Sequence, residues 1–209
     1  ELARDMYGLN GWAIHHNISI WREAYPSDGF VYWFFWNMSG PWLCNHIWEH
    51  YLFTKDVDFL KKYYPILKGS ATFCSEWLIE NSKGELVTPV STSPENAYLM
   101  PDDTPASVCE GSTMDIAIIR SLFSNTIEAS KILQTDRDFR SELIKKRSKL
   151  KGYQIGSKGQ LLEWDKEYKE SEPQHRHVSH LFGVYPGCDI TDNTPELFKA
   201  ARKSLNDRG

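Results

Sequence analysis

Pro41-Trp42-Leu43-Cys44-Asn45-His46-Ile47-Trp48-Glu49-His50-Tyr51-Leu52-Phe53 carries apolar side chains at Trp42, Cys44, Ile47, Trp48, Tyr51 and Leu52. Steps of three and four residues put these on one side of an α-helix, and Pro41 suits a first helical turn, where a missing N–H leaves no bond unmade. The same period recurs outward from this stretch. Asp56 or Asp58 can cap a second helix through Phe59, Leu60, Tyr63 and Tyr64, which Pro65 should kink or break before a further run from Ile66 to Ile79. Ser112-Thr113-Met114-Asp115 resembles a capping box with Asp in place of Glu, and predicts a helix to Leu133 with Ile118, Ile119, Leu122, Phe123 and Ile127 on its apolar side. Asp136 predicts the cap of a helix over Phe139–Leu150. Thr194-Pro195-Glu196 opens a last helix to about Asn206.

Between these helices lie loops, with Glu85–Thr88 and Leu161–Trp164 as the short stretches that could be strand. Residues 1–39, with Gly8, Gly11, Pro26 and Gly29 among aromatics, read as irregular. At least five helices and almost no alternating pattern make an antiparallel all-α array the economical architecture.

The chain has 209 residues, of which 41% are hydrophobic and 25% charged, enough for a well-buried core. A net charge of −4, from 24 Lys and Arg against 28 Asp and Glu, leaves no excess to neutralise phosphates and argues against a nucleic-acid partner. Lys145-Lys146-Arg147 through Lys151 reads as a solvated helix face. No apolar run is long enough to span a bilayer, so no membrane partner is expected. Cys44, Cys74, Cys109 and Cys188 form no C-x-x-C pair, and Cys44 and Cys74 fall in apolar helical patterns as buried small hydrophobes. The sequons Asn17-Ile18-Ser19 and Asn37-Met38-Ser39 lie in aromatic-rich stretches, and glycans are not predicted there. The chain opens at Glu1 within an already patterned segment and reads as an excerpt, from which the compartment is not legible.

Three stretches carry candidate chemistry. Ser91-Thr92-Ser93-Pro94-Glu95-Asn96 places one carboxylic acid in a polar loop, where Pro94 restricts the backbone and the short side chains can hydrogen-bond the local backbone. Trp33, Trp36, Trp42 and Trp48 cluster upstream, and Trp stacks on sugar faces as well as filling cores. His46-Ile47-Trp48-Glu49-His50 matches the H-x-x-E-H pattern of inverted zinc peptidases, with both imidazoles on one helical face, although a third ligand would have to come from a later helix. His175-Arg176-His177-Val178-Ser179-His180 offers three imidazoles, but Ser179 stands where a binuclear zinc site of similar spacing has Asp. Neutral imidazoles beside a permanently charged guanidinium suit recognition of hydroxyl groups.

Read together, these stretches resemble glycoside hydrolase family 95, the inverting α-L-fucosidases and α-L-galactosidases. The resemblance is carried in order by Gly11-Trp12 with His15-His16-Asn17, by Trp42-Leu43-Cys44 with His46 and Trp48-Glu49-His50-Tyr51, by Ser91 to Asn96, by Ser112-Thr113-Met114-Asp115, by Tyr153-Gln154-Ile155-Gly156 with Gly159-Gln160-Leu161, and by His175-Arg176-His177 with Ser179-His180-Leu181. It covers nearly all 209 residues. It implies that residues 1–209 are part of one (α/α)6 barrel, or toroid, truncated at both ends, with long site-forming loops at the barrel's mouth. By the resemblance Glu95 is the general acid, Arg176 and His177 grip the fucose hydroxyls, and His16, Trp42, Glu49 and His180 lie near the pocket. The implied substrate is a fucosylated or galactosylated oligosaccharide or polysaccharide, with no cofactor and no metal, in a secreted or periplasmic protein.

The chain departs from the family where Ile18-Ser19-Ile20 follows Asn17 in place of Thr-Asp-Leu, which puts a carboxylate role there in doubt. The family's base, an Asp held with two Asn residues, is implied to lie just after Arg208-Gly209, and the Asn pair upstream of Glu1. Inversion needs an acid and a base roughly 6.5–9.5 Å apart, of which Glu95 supplies the first, with aromatic walls and partial burial expected to keep it protonated. A zinc metallopeptidase acting through His46, Glu49 and His50, and a noncatalytic carbohydrate-binding homologue, are the alternative readings.

Overall fold

The computed structural model describes residues 1–16, 20–26 and 28–209. The chain divides into two compact units. The first comprises Glu1–Ser27, Asn37–Leu86 and Ile119–Leu150, and the second Asp28–Trp36, Val87–Ile118 and Lys151–Gly209.

The first unit is helical. Helices Ser39–Thr54 and Val57–Trp77 pack against each other. Asp56 Oδ1 accepts from Phe59 N at 2.9 Å, the predicted cap. Pro65 lies inside the second of these and does not break it into separate helices. An interior proline forfeits a hydrogen bond and costs about 3 kcal/mol, but Leu60 and Leu67 on either side of it are fully buried and hold both halves in one core. Cys44 and Cys74 are buried, as their patterns predict. Trp12 joins this helix pair. Its indole N–H donates to Ile66 O at 2.9 Å, and a Cβ on Gly40 or Gly69 would fall 2.5 or 2.6 Å from its ring, so both positions exclude any larger side chain.

Helix Arg137–Lys149 completes the unit, together with the larger part of helix Thr113–Ile132. Asp136 precedes the former but does not cap it: its φ of 52° turns the backbone left-handed, and its carboxylate binds Lys68 Nζ at 2.7 Å instead. The basic run nearby is not a fully solvated face, since Lys146 Nζ donates to Ser75 O at 2.8 Å and Arg147 Nε to Ser124 Oγ at 2.7 Å. The stretch 1–39 contains regular structure that its glycines obscured, a helix over Leu2–Tyr7 in this unit and a four-residue helix over Val31–Phe34 in the other. Asn37 is 2% exposed, which leaves no room for a glycan there in the folded unit, whereas the sequon at Asn17 lies outside the described residues.

The second unit is built from loops pinned by two-residue strands. Ser91–Thr92 pairs antiparallel with Val108–Cys109, and Tyr98–Leu99 lies between Pro105–Ala106 and Lys169–Glu170. One core cluster gathers Tyr98, Cys109 and Trp164, and another Leu161, Ile190, Ala200 and Ala201, the latter pair from helix Pro195–Arg208. Only half of the predicted capping box forms. Asp115 N approaches Ser112 Oγ at 3.4 Å, but the Asp115 carboxylate turns inward to accept from Ser91 Oγ at 2.5 Å and Trp36 Nε1 at 3.0 Å. Leu161–Trp164 is no strand. It makes one bridge, Leu161 to Ile155, and Thr113 N and Oγ1 bond to the carbonyls of Glu163 and Leu162 at 3.0 and 2.6 Å. No helix among the described residues is long and apolar enough to cross a membrane.

Candidate active site

Ser91–Thr92 and Val108–Cys109 fix the start of the acid loop, and three interactions carry it to Glu95. Thr92 Oγ1 donates to Phe35 O at 3.0 Å, Asn96 N closes a turn onto Ser93 O at 2.7 Å, and Ser179 Oγ donates to Pro94 O at 2.6 Å. The last bond ties the acid loop to the histidine-rich loop. The Pro94–Glu95 peptide is cis.

Glu95 Oε2 accepts from Arg176 NH2 at 2.5 Å and lies 3.4 Å from His177 Nε2. These three residues, far apart in sequence, meet at the surface of the unit, and the Glu95 side chain remains 32% exposed. Its polar neighbours are a guanidinium and an imidazole. His175 is buried behind them. Its Nδ1 accepts from His177 N at 3.1 Å and so holds the His177 backbone, and burial pushes its imidazole down from the ordinary histidine value.

His180 sits one layer deeper, 3% exposed, with Nδ1 3.8 Å from Glu163 Oε2. Burial and the Arg208 charge push it down to about 3. Glu163 was legible only as part of a possible strand, yet it lies under the acid loop: Ser93 Oγ and Asn96 Nδ2 both donate to it. Ser93 therefore serves a distant carboxylate and not the local backbone. An acid set among Leu161, Leu162 and Trp164 was the one available signal.

His16, Trp42 and Glu49 belong to the first unit. Trp42 and Glu49 stand two turns apart on one face of helix Ser39–Thr54, Trp42 40% exposed and Glu49 half-buried. His16 is half-buried beside His15, whose Nε2 lies 2.7 Å from Tyr7 Oη. On the same helix the His50 ring stacks on Phe59 with centroids 3.8 Å apart, and no three His, Cys, Asp or Glu side chains among the described residues converge as metal ligands. The H-x-x-E-H residues share one helix face, and the second imidazole is stacked on an aromatic ring.

Glu95, Arg176 and His177 thus place a carboxyl group beside a guanidinium and an imidazole on two loops of the second unit. The comparison with known families gives that arrangement its place: residues 1–209 match the glycosyl hydrolase family 95 catalytic domain, and the chain belongs to that family. It is 44% identical over 212 residues to alpha-L-fucosidase 2 of Arabidopsis thaliana, covering 100% of this chain and 25% of that protein. It is 29% identical over 219 residues to the probable alpha-fucosidase A of Aspergillus niger, again over 100% of this chain and 27% of the relative. The corresponding Aspergillus oryzae protein is 31% identical over 157 residues, 69% of this chain and 20% of its own length. The chain thus spans about a quarter of the length of the two relatives that it matches from end to end.

Proposed function

We propose that the protein carrying this domain hydrolyses terminal α-L-fucosyl, or α-L-galactosyl, linkages of glycans with inversion, and that Glu95 is its general acid. The observation that carries the reading is the meeting of Glu95 Oε2 with Arg176 NH2 at 2.5 Å and His177 Nε2 at 3.4 Å. Family membership and the names of the fucosidase relatives support the reaction class and a fucosylated substrate. The 209 residues are then part of one (α/α)6 barrel, with the base supplied from outside them.

Arg176 and His177 carry only donors or donor–acceptor nitrogens suited to sugar hydroxyls. A sugar that takes Arg176 from Glu95 onto its own hydroxyls leaves the Glu95 carboxyl free to hold a proton and hand it to the departing oxygen. Binding and protonation are coupled by this exchange, since the group released from the acid is the group that grips the substrate. The base's water attacks the opposite face of the ring.

Glu95→Gln in the intact protein tests the assignment, because it keeps the shape and removes the transferable proton. Hydrolysis of a fucoside with a sugar leaving group should fall by about 10²–10⁴. Fucosyl fluoride, whose leaving group needs no proton, should lose far less. Equal losses on the two substrates would remove Glu95 from the acid's role.

A further inference from the structure

The Glu163 carboxylate is 4% exposed and is held on three sides. Ser93 Oγ donates to Oε1 at 2.6 Å, Asn96 Nδ2 donates to Oε2 at 3.2 Å, and Arg208 NH2 donates to Oε2 at 2.5 Å. Ser93 and Asn96 flank Glu95, two residues before it and one after. Arg208, itself 7% exposed, uses its other terminal nitrogen on the carbonyls of Glu172 and Pro173 at 3.1 and 3.2 Å and on Glu170 Oε2 at 3.2 Å. The segment Glu170–Pro173 runs directly into His175, Arg176 and His177.

One buried ion pair therefore anchors both of the loops that meet at Glu95. A buried pair returns in Coulomb attraction little more than its desolvation costs, so an apolar pair of similar volume would hold the core at least as well. What the ion pair provides and an apolar pair cannot is direction: each oxygen of Glu163 is assigned to a named donor on the acid loop or on Arg208, and Arg208 passes the constraint to the second loop.

We propose that Glu163, through its ion pair with Arg208, is the positioning residue of the acid, setting the aim of Glu95 at the leaving-group oxygen without touching substrate. The inference rests on the reading of Glu95 as the general acid. Glu163 acts most directly on the proton-transfer step, because its own donors Ser93 and Asn96 are the neighbours of the proton donor, whereas the second loop keeps the bonds of Arg208 to the carbonyls of Glu172 and Pro173 when Glu163 is replaced. Loss of the pair misaims the donor by a fraction of an ångström to an ångström, a displacement that can cost about 10²-fold in rate.

The test uses the intact protein with Glu163→Gln, which keeps the volume and removes the acid's charge, leaving Arg208 without its counter-ion, and Glu163→Asp, which keeps the charge and shortens the reach. Each is assayed on a fucoside with a sugar leaving group and on fucosyl fluoride, beside Glu95→Gln. Glu163→Gln should lower kcat on the first substrate by about 10- to 100-fold with little change in KM, and leave fluoride hydrolysis within about threefold of the parent. Glu163→Asp should recover part of the loss. Ser93→Ala removes one donor and leaves the ion pair in place, so it reports the same split, a smaller one, should Glu163→Gln fail to fold. A uniform loss on both substrates, or none, in a folded Glu163 or Ser93 variant overturns the inference while a split in Glu95→Gln leaves the assignment of the acid standing. The absence of a split in Glu95→Gln overturns both.

Discussion

Arg176 NH2 reaches Glu95 Oε2 at 2.5 Å across a surface where the two side chains are 73% and 32% exposed. Solvent screens such a pair, and exposed ion pairs add about 0–1 kcal/mol at most to a fold. The proposed function gives it a role at the sugar instead. Arg176→Ala should leave the denaturation midpoint of the intact protein nearly unchanged and raise KM for a fucoside by about tenfold or more, the loss of one charge-assisted hydrogen bond. Steady-state kinetics beside a urea titration check this. A large fall in stability with unchanged KM would make the pair structural.

Gly11 is the counterpart in the first unit, where the demand is steric. At φ +74° a Cβ on it would lie 2.1 Å from Gly69 O and 2.8 Å from Phe73 N, both backbone atoms of helix Val57–Trp77. Neither can retreat without moving the helix, so Gly11→Ala should destabilise by about 2 kcal/mol or more. Chemical denaturation reads it directly, and a change within about 0.5 kcal/mol would contradict the close approach.

Asp115 is 1% exposed, and burial pushes its carboxyl up to about 6 against the hydrogen bonds of Ser91, Trp36, Thr88 and Ser112. Between the unfolded value of 3.8 and about 6 the folded state holds a proton that the unfolded chain has released. Stability from this group is thus fully present below the lower value and is lost as pH rises through the upper one. The stability of the parent minus that of Asp115→Asn should fall as pH goes from about 4 to about 6 and be flat above about 7. Urea titrations of both proteins at a series of pH values measure it, and a difference that rises over this window would refute the buried, protonated carboxyl.

Dialysis against a strong chelator should leave fucosidase activity within about twofold, because the His50 imidazole is stacked on Phe59 and the His175 and His177 imidazoles serve the loop around Glu95. Loss of turnover that Zn²⁺ restores would revive a metal role for His46, Glu49 and His50.

The sequence by itself determined the elements whose information is local. Helices Ser39–Thr54, Val57–Trp77 and Thr113–Ile132 follow from apolar residues at helical spacing, because 3.6 residues per turn makes burial a property of a short window. The cap at Asp56 belongs to the same kind, set by a few adjacent φ values and one short side chain. The family's motifs also made Glu95, Arg176 and His177 legible as a set.

Only the tertiary structure decided which partner each polar side chain takes. Asp115 and Asp136 both stand where a helix cap is expected, and both carboxylates instead go to distant partners, Ser91 and Trp36 in one case and Lys68 in the other. Glu163 was marked only by the apolar residues on either side of it, and its donors lie 70 residues upstream at Ser93 and 45 downstream at Arg208. The physical reason is that a helix pattern scores burial along one short element, whereas a buried carboxylate must be satisfied by whatever donors the chain's path brings within 3 Å or so. That path is a consequence of the whole fold, and no spacing in the sequence encodes it.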